Sequence, residues 1–213
     1  MKALKMLSQL NIANGNLITS LRDKSNSVFL QQGSVDGACG PYCVFMALII
    51  LGIISYDDAT NLWWTKRSTR FGKMLAKMQE HDTLFQNGTH LYQLQELLEV
   101  SFKKTLVTKV SPERGRNLIQ FIQDELDKDC PVIFGVTGQK LAHWLLATGY
   151  EADDEGSVIK ITFLDPSGNP SWNYYNGVID VEFVYKGRYP YAWVSCEDDI
   201  KVSLEAGISM GVK

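Results

Sequence analysis

Residues 43–54 read CVFMALIILGII, a run without a charge and with a single glycine. A stretch that is apolar on every side cannot be a surface helix, which would show a polar face, nor a half-exposed strand, which would alternate. Together with the residues just before it, the run predicts a helix buried all round over residues 39–52, so the rest of the chain must supply the elements that cover it. It is too short for a membrane span, which needs about 20 apolar residues, and Gly52 interrupts it. We therefore expect no integral membrane segment. With 213 residues, 45% hydrophobic and 21% charged, the chain has material for a single domain over residues 1–213.

The helix is preceded by GSVDGACGPYC, residues 33–43. Pro41 suits a first helical turn, where its missing N–H costs nothing. That puts Cys39 at or beside the helix N-terminus. Unpaired N–H groups and the helix dipole there favour a thiolate over a thiol, and the same N–H groups suit the oxyanion of a tetrahedral intermediate. The flanking glycines would let a substrate backbone come close. Cys39 reads equally as an activated nucleophile or as a small buried apolar residue, the usual state of a free cysteine. Cys43, one turn deeper in the apolar run, reads as core, where burial makes a thiol inert.

A nucleophilic cysteine needs a base, and the base needs an orienting group. Of the three histidines, His81 lies in a polar loop and His90 at the start of a polar-faced helix, both surface positions. His143 opens the strand HWLLATGYE, where a sheet can present an imidazole to a helix N-terminus, although a histidine at a strand edge is more often structural. The next strand ends in DPSG. If residues 143–152 and 157–166 form a hairpin, residue 143 pairs near residue 166, which brings Asp165 beside His143. Asp-Pro-Ser-Gly also fits a type I turn, and the two roles are compatible. Asn169 and Asn173 are the nearest amides that could replace Asp165. Upstream, Gln31 and Gln32 offer a side-chain amide for an oxyanion.

The order of elements argues for an α+β fold. A helical part covers about residues 1–128: a weakly amphipathic N-terminal stretch, the buried helix, a start at Ser55, a helix capped by Thr89, and a helix over GRNLIQFIQDELDKD. An antiparallel β-sheet covers about 129–213, with strands at 130–138, 143–152, 157–166, 176–185 and 191–196, and EADDEG as a hairpin turn.

A net charge of −3 carries no nucleic-acid footprint. Lys66, Arg67, Arg70 and Lys73, beside Trp63 and Trp64, read as a solvated helix face. The N-terminal stretch has no continuous apolar core followed by a small-residue cleavage site, so the expectation is a cytoplasmic protein, or one exported by a signal-less route. Four cysteines without zinc-ligand spacing imply reduced thiols, no metal and no cofactor. Asn87-Gly88-Thr89 is a formal glycosylation sequon that matters only in a secretory lumen.

Four segments in order, Gln–x–Asp–x–x–Cys–Gly–Pro with a variable first gap, PVIFGV, HWLLATGY and FLDPSG, resemble the papain-like cysteine peptidases. They are most similar to the branch that cleaves leader peptides after double glycine in bacteriocin export, and to its stand-alone relatives. The resemblance spans about residues 28–170. It implies a papain-like domain with Cys39 as nucleophile, His143 as general base, Asp165 as its orienting group and Gln32 as the oxyanion amide. Gln32 stands seven residues before Cys39, one more than that family usually has.

The expected activity is a thiol hydrolase acting on a peptide or amide bond of a peptide or protein substrate. The same groups would serve an acyl transferase or deamidase. A catalytically inactive papain-like binding module is the third reading, with Trp172, Tyr174, Tyr175, Tyr185, Tyr189, Tyr191 and Trp193 as its surface. Those aromatics read more simply as strand core and edge.

Overall fold

The computed structural model describes residues 3–21, 26–33, 37–80, 88–170, 173–196 and 199–213. His81, Asn87 and Trp172 lie outside the described residues. The elements are, in chain order, β1 (Ala3–Met6), β2 (Leu10–Ala13), β3 (Asn16–Thr19), α1 (Cys39–Ile50), α2 (Tyr56–Thr60), a 3-10 turn (Leu62–Trp64), α3 (Arg70–Glu80), α4 (Leu91–Phe102), β4 (Leu106–Ser111) and α5 (Gly115–Leu126). There follow β5 (Val132–Thr137), β6 (Ala142–Ala152), β7 (Val158–Leu164), β8 (Gly177–Asp180), β9 (Tyr191–Ser195) and β10 (Asp199–Val212).

The buried helix expected over 39–52 forms as α1, Cys39–Ile50, and ends two residues early, at the C-cap Leu51 before Gly52 with φ 66°. Every residue of that helix except Tyr42 is buried. It packs against β6, β5, β3 and α4. Full burial of each Val, Phe, Met, Leu or Ile here contributes about 1.5–3 kcal/mol, so this one helix anchors much of the core.

The fold is α+β, with helices packed on an antiparallel sheet. The sheet goes further than the sequence pattern implied. Strands pair in the order β6–β5–β10–β9–β8–β7, and β7 returns to pair with β6, so six strands close into a barrel. Closure depends on two long strands. β6 pairs β5 and then β1 along one edge, and β7 along the other. β10 pairs β5 on one side, and β9 and then β4 on the other. Irregular register near Gly149 in β6 and between Leu204 and Gly207 in β10 supplies the bends.

Several expectations need correction. The N-terminal stretch is not helical. β1 lies on β6 with Ala3 opposite Ala152 and Met6 opposite Gly149. A Cβ at Gly149 would sit 2.3 Å from the Lys5 carbonyl, so glycine is what lets this strand approach. β2 and β3 form a hairpin about Asn14-Gly15, whose φ values of 51° and 74° are those of a type I′ turn. β4 and the 14-residue β10 were not foreseen. Hence β1 and β4, from the nominally helical part, join the sheet. The strand expected over 176–185 stops at Asp180, and Phe183, Val184 and Tyr185 are exposed beyond it. His90, not Thr89, caps α4. Tyr191 and Trp193 are core, so the aromatic stretch is not one continuous surface.

Ser55 caps α2 through a capping box with Asp58, as its spacing implied. Arg70 and Lys73 lie on α3, while Lys66 and Arg67 precede it; all four are exposed. No helix among the described residues is long and apolar enough to cross a membrane.

Candidate active site

α1 begins at Cys39, and its N-cap Ala38 offers no side chain to the first-turn N–H groups. No acidic residue occupies that turn. The helix end is thus left to Cys39 itself. Gly40 follows because there is no room for a side chain: a Cβ would lie 3.0 Å from Thr89 Cβ and 3.2 Å from Leu94 Cδ2. The glycine therefore admits the start of α4; a substrate backbone is not what fills that space.

His143 sits second in β6, opposite Val136 of β5, and the pairing continues with Leu145 opposite Phe134. A slip of one residue would exchange His143 for Trp144 across the strand, so the buried neighbours of β5 fix which side chain meets Cys39. The imidazole lies beside the Trp193 ring, with centroids 5.9 Å apart. Trp144 points the other way and donates its indole N–H to the Thr89 carbonyl at 2.6 Å, tying the strand to the start of α4.

Asp165 follows β7, in the DPSG turn. His143 Nε2 donates to Asp165 Oδ1 at 2.7 Å, and the two side chains are 9% and 8% exposed. The Ser167 N–H donates to the same oxygen at 2.8 Å, and the Gly168 N–H to the Asp165 carbonyl at 3.2 Å. The turn and the orienting contact therefore coexist. With Nε2 committed to the carboxylate, Nδ1 is the nitrogen left to Cys39.

These contacts set the protonation states. Burial acts most strongly on the Cys39 thiol and would raise it. The hydrogen bond and charge of His143, with the backbone N–H groups of Trp144 and Gly40, outweigh burial and leave the thiol below its ordinary value. Burial likewise pulls the His143 imidazole down most strongly, but Asp165 and Cys39 on its two sides push it up to about 9. Both shifts run in the direction that favours a thiolate–imidazolium pair. Cys43 is the reverse case: burial, then the charges of Cys39 and Asp165, push its thiol well up. Its Sγ donates to the Trp144 carbonyl at 3.4 Å. Burial also raises Cys130, while Cys196 is exposed.

Peptide-mapped iodoacetamide labelling at neutral pH is expected to modify Cys39 first, because the thiolate is the reactive form. Equal or faster labelling of Cys43, Cys130 or Cys196 would contradict the ion pair.

Both glutamines reach the Asp165 turn. The Gln31 side chain donates to the Gly168 carbonyl at 3.3 Å. Gln32 donates its backbone N–H to the Pro166 carbonyl at 2.8 Å, and its side-chain oxygen is buried without a partner.

Asn176, at the entry to β8, was not singled out in the sequence. Its Oδ1 accepts the Asp165 N–H at 2.7 Å, and its Nδ2 donates to the Asp165 carbonyl at 2.9 Å and the Asn169 carbonyl at 3.2 Å. It holds the backbone of the residue that holds His143. An amide placed just before a strand reads only as turn chemistry, so no sequence signal separates it from Asn169 and Asn173. Asn176→Ala is expected to lower the turnover of any activity at Cys39 by about tenfold. It should also broaden the His143 imidazole resonance in NMR. An unchanged imidazole signal would make its role merely structural.

No metal-ligand cluster occurs among the described residues. No family model matches the sequence, and no curated protein matches it. Among solved structures, UfSP from C. elegans matches 99% of this chain and 34% of its own, at 12% identity and a TM-score of 0.48. The chain thus spans about a third of that protein's length. The chemistry assigned to Cys39 rests on the local geometry alone.

Proposed function

We propose that the chain is a papain-like thiol hydrolase that cleaves a peptide or amide bond. The observation that carries this reading is the 2.7 Å contact from His143 Nε2 to a buried Asp165, with Cys39 at the helix N-terminus as the second partner of the imidazole. In this reading the Cys39 thiolate attacks the carbonyl carbon, and its oxygen becomes the oxyanion. Backbone N–H at Cys39 and the Gln32 amide receive that charge. The imidazolium gives its proton to the leaving amine, which departs and leaves a thioester on Cys39. His143, now neutral, takes a proton from water, the hydroxide adds to the thioester, and the acid product leaves as the thiolate re-forms.

Gln32 is preferred over Gln31 because the Gln31 amide is already engaged by the Gly168 carbonyl. Gln32→Ala is expected to cost ~100-fold or more in turnover with little change in substrate affinity, as loss of one oxyanion donor does. The same loss in Gln31→Ala but not in Gln32→Ala would reverse the assignment.

The similarity of four segments to the double-glycine leader peptidases makes a peptide cleaved after Gly-Gly the first substrate to try. The general test compares new N-termini in a proteome exposed to the wild type and to Cys39→Ala. Cleavages confined to the wild type support hydrolysis. Amine incorporation or glutamine deamidation without new N-termini would move the activity to acyl transfer on the same residues.

A further inference from the structure

Trp63 and Trp64 are 97% and 86% exposed, more than any other large apolar side chain among the described residues. Among the described residues, neither indole packs on the core. Leu62, the other residue of the 3-10 turn, is the one that packs partly on it. The platform beneath is firmly bonded. Trp64 N–H donates to the Asn61 carbonyl at 3.1 Å, and Thr65 N–H to the Leu62 carbonyl at 3.1 Å. Thr69 Oγ1 donates to the Lys66 carbonyl at 2.8 Å and accepts the Gly72 N–H at 2.9 Å. At Gly72 a Cβ would come 2.2 Å from the Lys66 carbonyl, so Lys66 and Arg67 lie directly against the first turn of α3.

The charge around this turn opposes that of the whole chain. The protein is −3 overall, yet between Asp58 and Glu80 the sequence has five cations, Lys66, Arg67, Arg70, Lys73 and Lys77, and no carboxylate. Lys77 is paired with Glu80 and Glu96. The other four are exposed, and Arg70 also reaches the Thr105 hydroxyl. Asp57 and Asp58 face the groove behind Trp64, with Asp58 engaged in the Ser55 cap.

We propose that this turn docks the protein onto an anionic membrane surface, with Trp63 and Trp64 at the headgroup level and Lys66, Arg67, Arg70 and Lys73 against the lipid phosphates. Two adjacent, almost fully exposed indoles suit a fluid interface, where an amphipathic ring finds both hydrocarbon and water. The four cations complement an anionic headgroup layer, and the charge of the rest of the chain would repel it. This docking is independent of the chemistry at Cys39.

The test is co-sedimentation with vesicles of phosphatidylcholine mixed with phosphatidylglycerol, against phosphatidylcholine alone, with tryptophan fluorescence read in parallel. The expected result is binding to the mixed vesicles only, weakened by salt, with a blue shift of the emission. The double variant Trp63→Ser, Trp64→Ser should lose at least ~10-fold in partitioning and lose the blue shift. Lys66→Glu with Arg67→Glu should lose binding by a similar factor. An unchanged iodoacetamide rate at Cys39 shows that each variant is folded, and the single variants Trp63→Ser and Trp64→Ser serve where a double variant is not. No excess binding to the mixed vesicles overturns the proposal. So does undiminished binding of the tryptophan variants, which would reduce the patch to charge alone. Binding to soluble heparin with the same dependence on Trp63 and Trp64 would also overturn it, in favour of a soluble acidic partner.

Discussion

Cys39→Ala and His143→Ala are each expected to lower turnover by at least roughly 10³-fold, and the double variant by no more than either alone. Groups that act as one unit show this non-additivity, since the thiolate without its imidazolium has no proton to give the leaving amine, and the imidazolium without the thiolate has no nucleophile beside it. The check is single-substrate kinetics on the three variants, with folding followed by circular dichroism. Losses that multiply would separate the two residues and leave His143 a structural neighbour of Trp193. Removing Cys39 should have a second signature. The hydrogen bond and charge of Cys39 are among the influences that hold the imidazole up at about 9. In Cys39→Ala, the His143 resonance should therefore titrate at a lower pH than in the wild type.

Asp165 offers the second large effect, and the geometry distinguishes two substitutions. Oδ1 accepts both from His143 Nε2 and from the Ser167 N–H. Asparagine can place its own oxygen there, so Asp165→Asn keeps the orientation and loses the charge. Alanine loses both, and its turnover should fall on the order of 10³–10⁴-fold, the scale on which loss of the orienting group acts. The sign of the pH effect follows from the raised imidazole. A group whose folded pKa lies above its ordinary 6.5 is protonated below that value and gives up its proton as pH rises through about 9. Activity that needs the imidazolium should therefore fall on the alkaline side near pH 9 in the wild type. In Asp165→Asn that limb should move to lower pH. A pH–rate profile with the alkaline limb unmoved would remove the carboxylate from the mechanism.

How far the site was legible depends on the range of the interaction. Local signals survived folding. The all-apolar run became α1, Pro41 marked its first turn, Ser55 with Asp58 made a cap, and DPSG made its turn with Asp165 at the head. The meeting of His143 with Asp165 was also within reach, because a hairpin between neighbouring strands is a short-range pairing. Asn176 was not, since its three side-chain bonds run to backbone groups seven or eleven residues away across a turn. Nor was the role of Gly40, which is decided by Thr89 and Leu94 from a helix far along the chain.

At the N-terminus the apolar spacing of MKALKMLSQLNI suits a helix, and the Asn14-Gly15 turn was a readable signal against it. β1 nevertheless forms because the free edge of β6 accepts it beside Gly149. An edge strand takes its hydrogen bonds from a partner that its own sequence does not contain. Barrel closure is of the same kind. It needs β10 to bridge β5 with β9 and β4, a match of lengths across strands that no local pattern encodes. The sequence by itself thus determined the buried helix, the thiol at its head, and the turn that carries the carboxylate, since each follows from periodicity, caps and turn residues within a few positions. The tertiary structure alone decided the strand register that sets His143 rather than Trp144 against Cys39, and the exposure of Trp63 and Trp64, because both depend on which distant surfaces are covered.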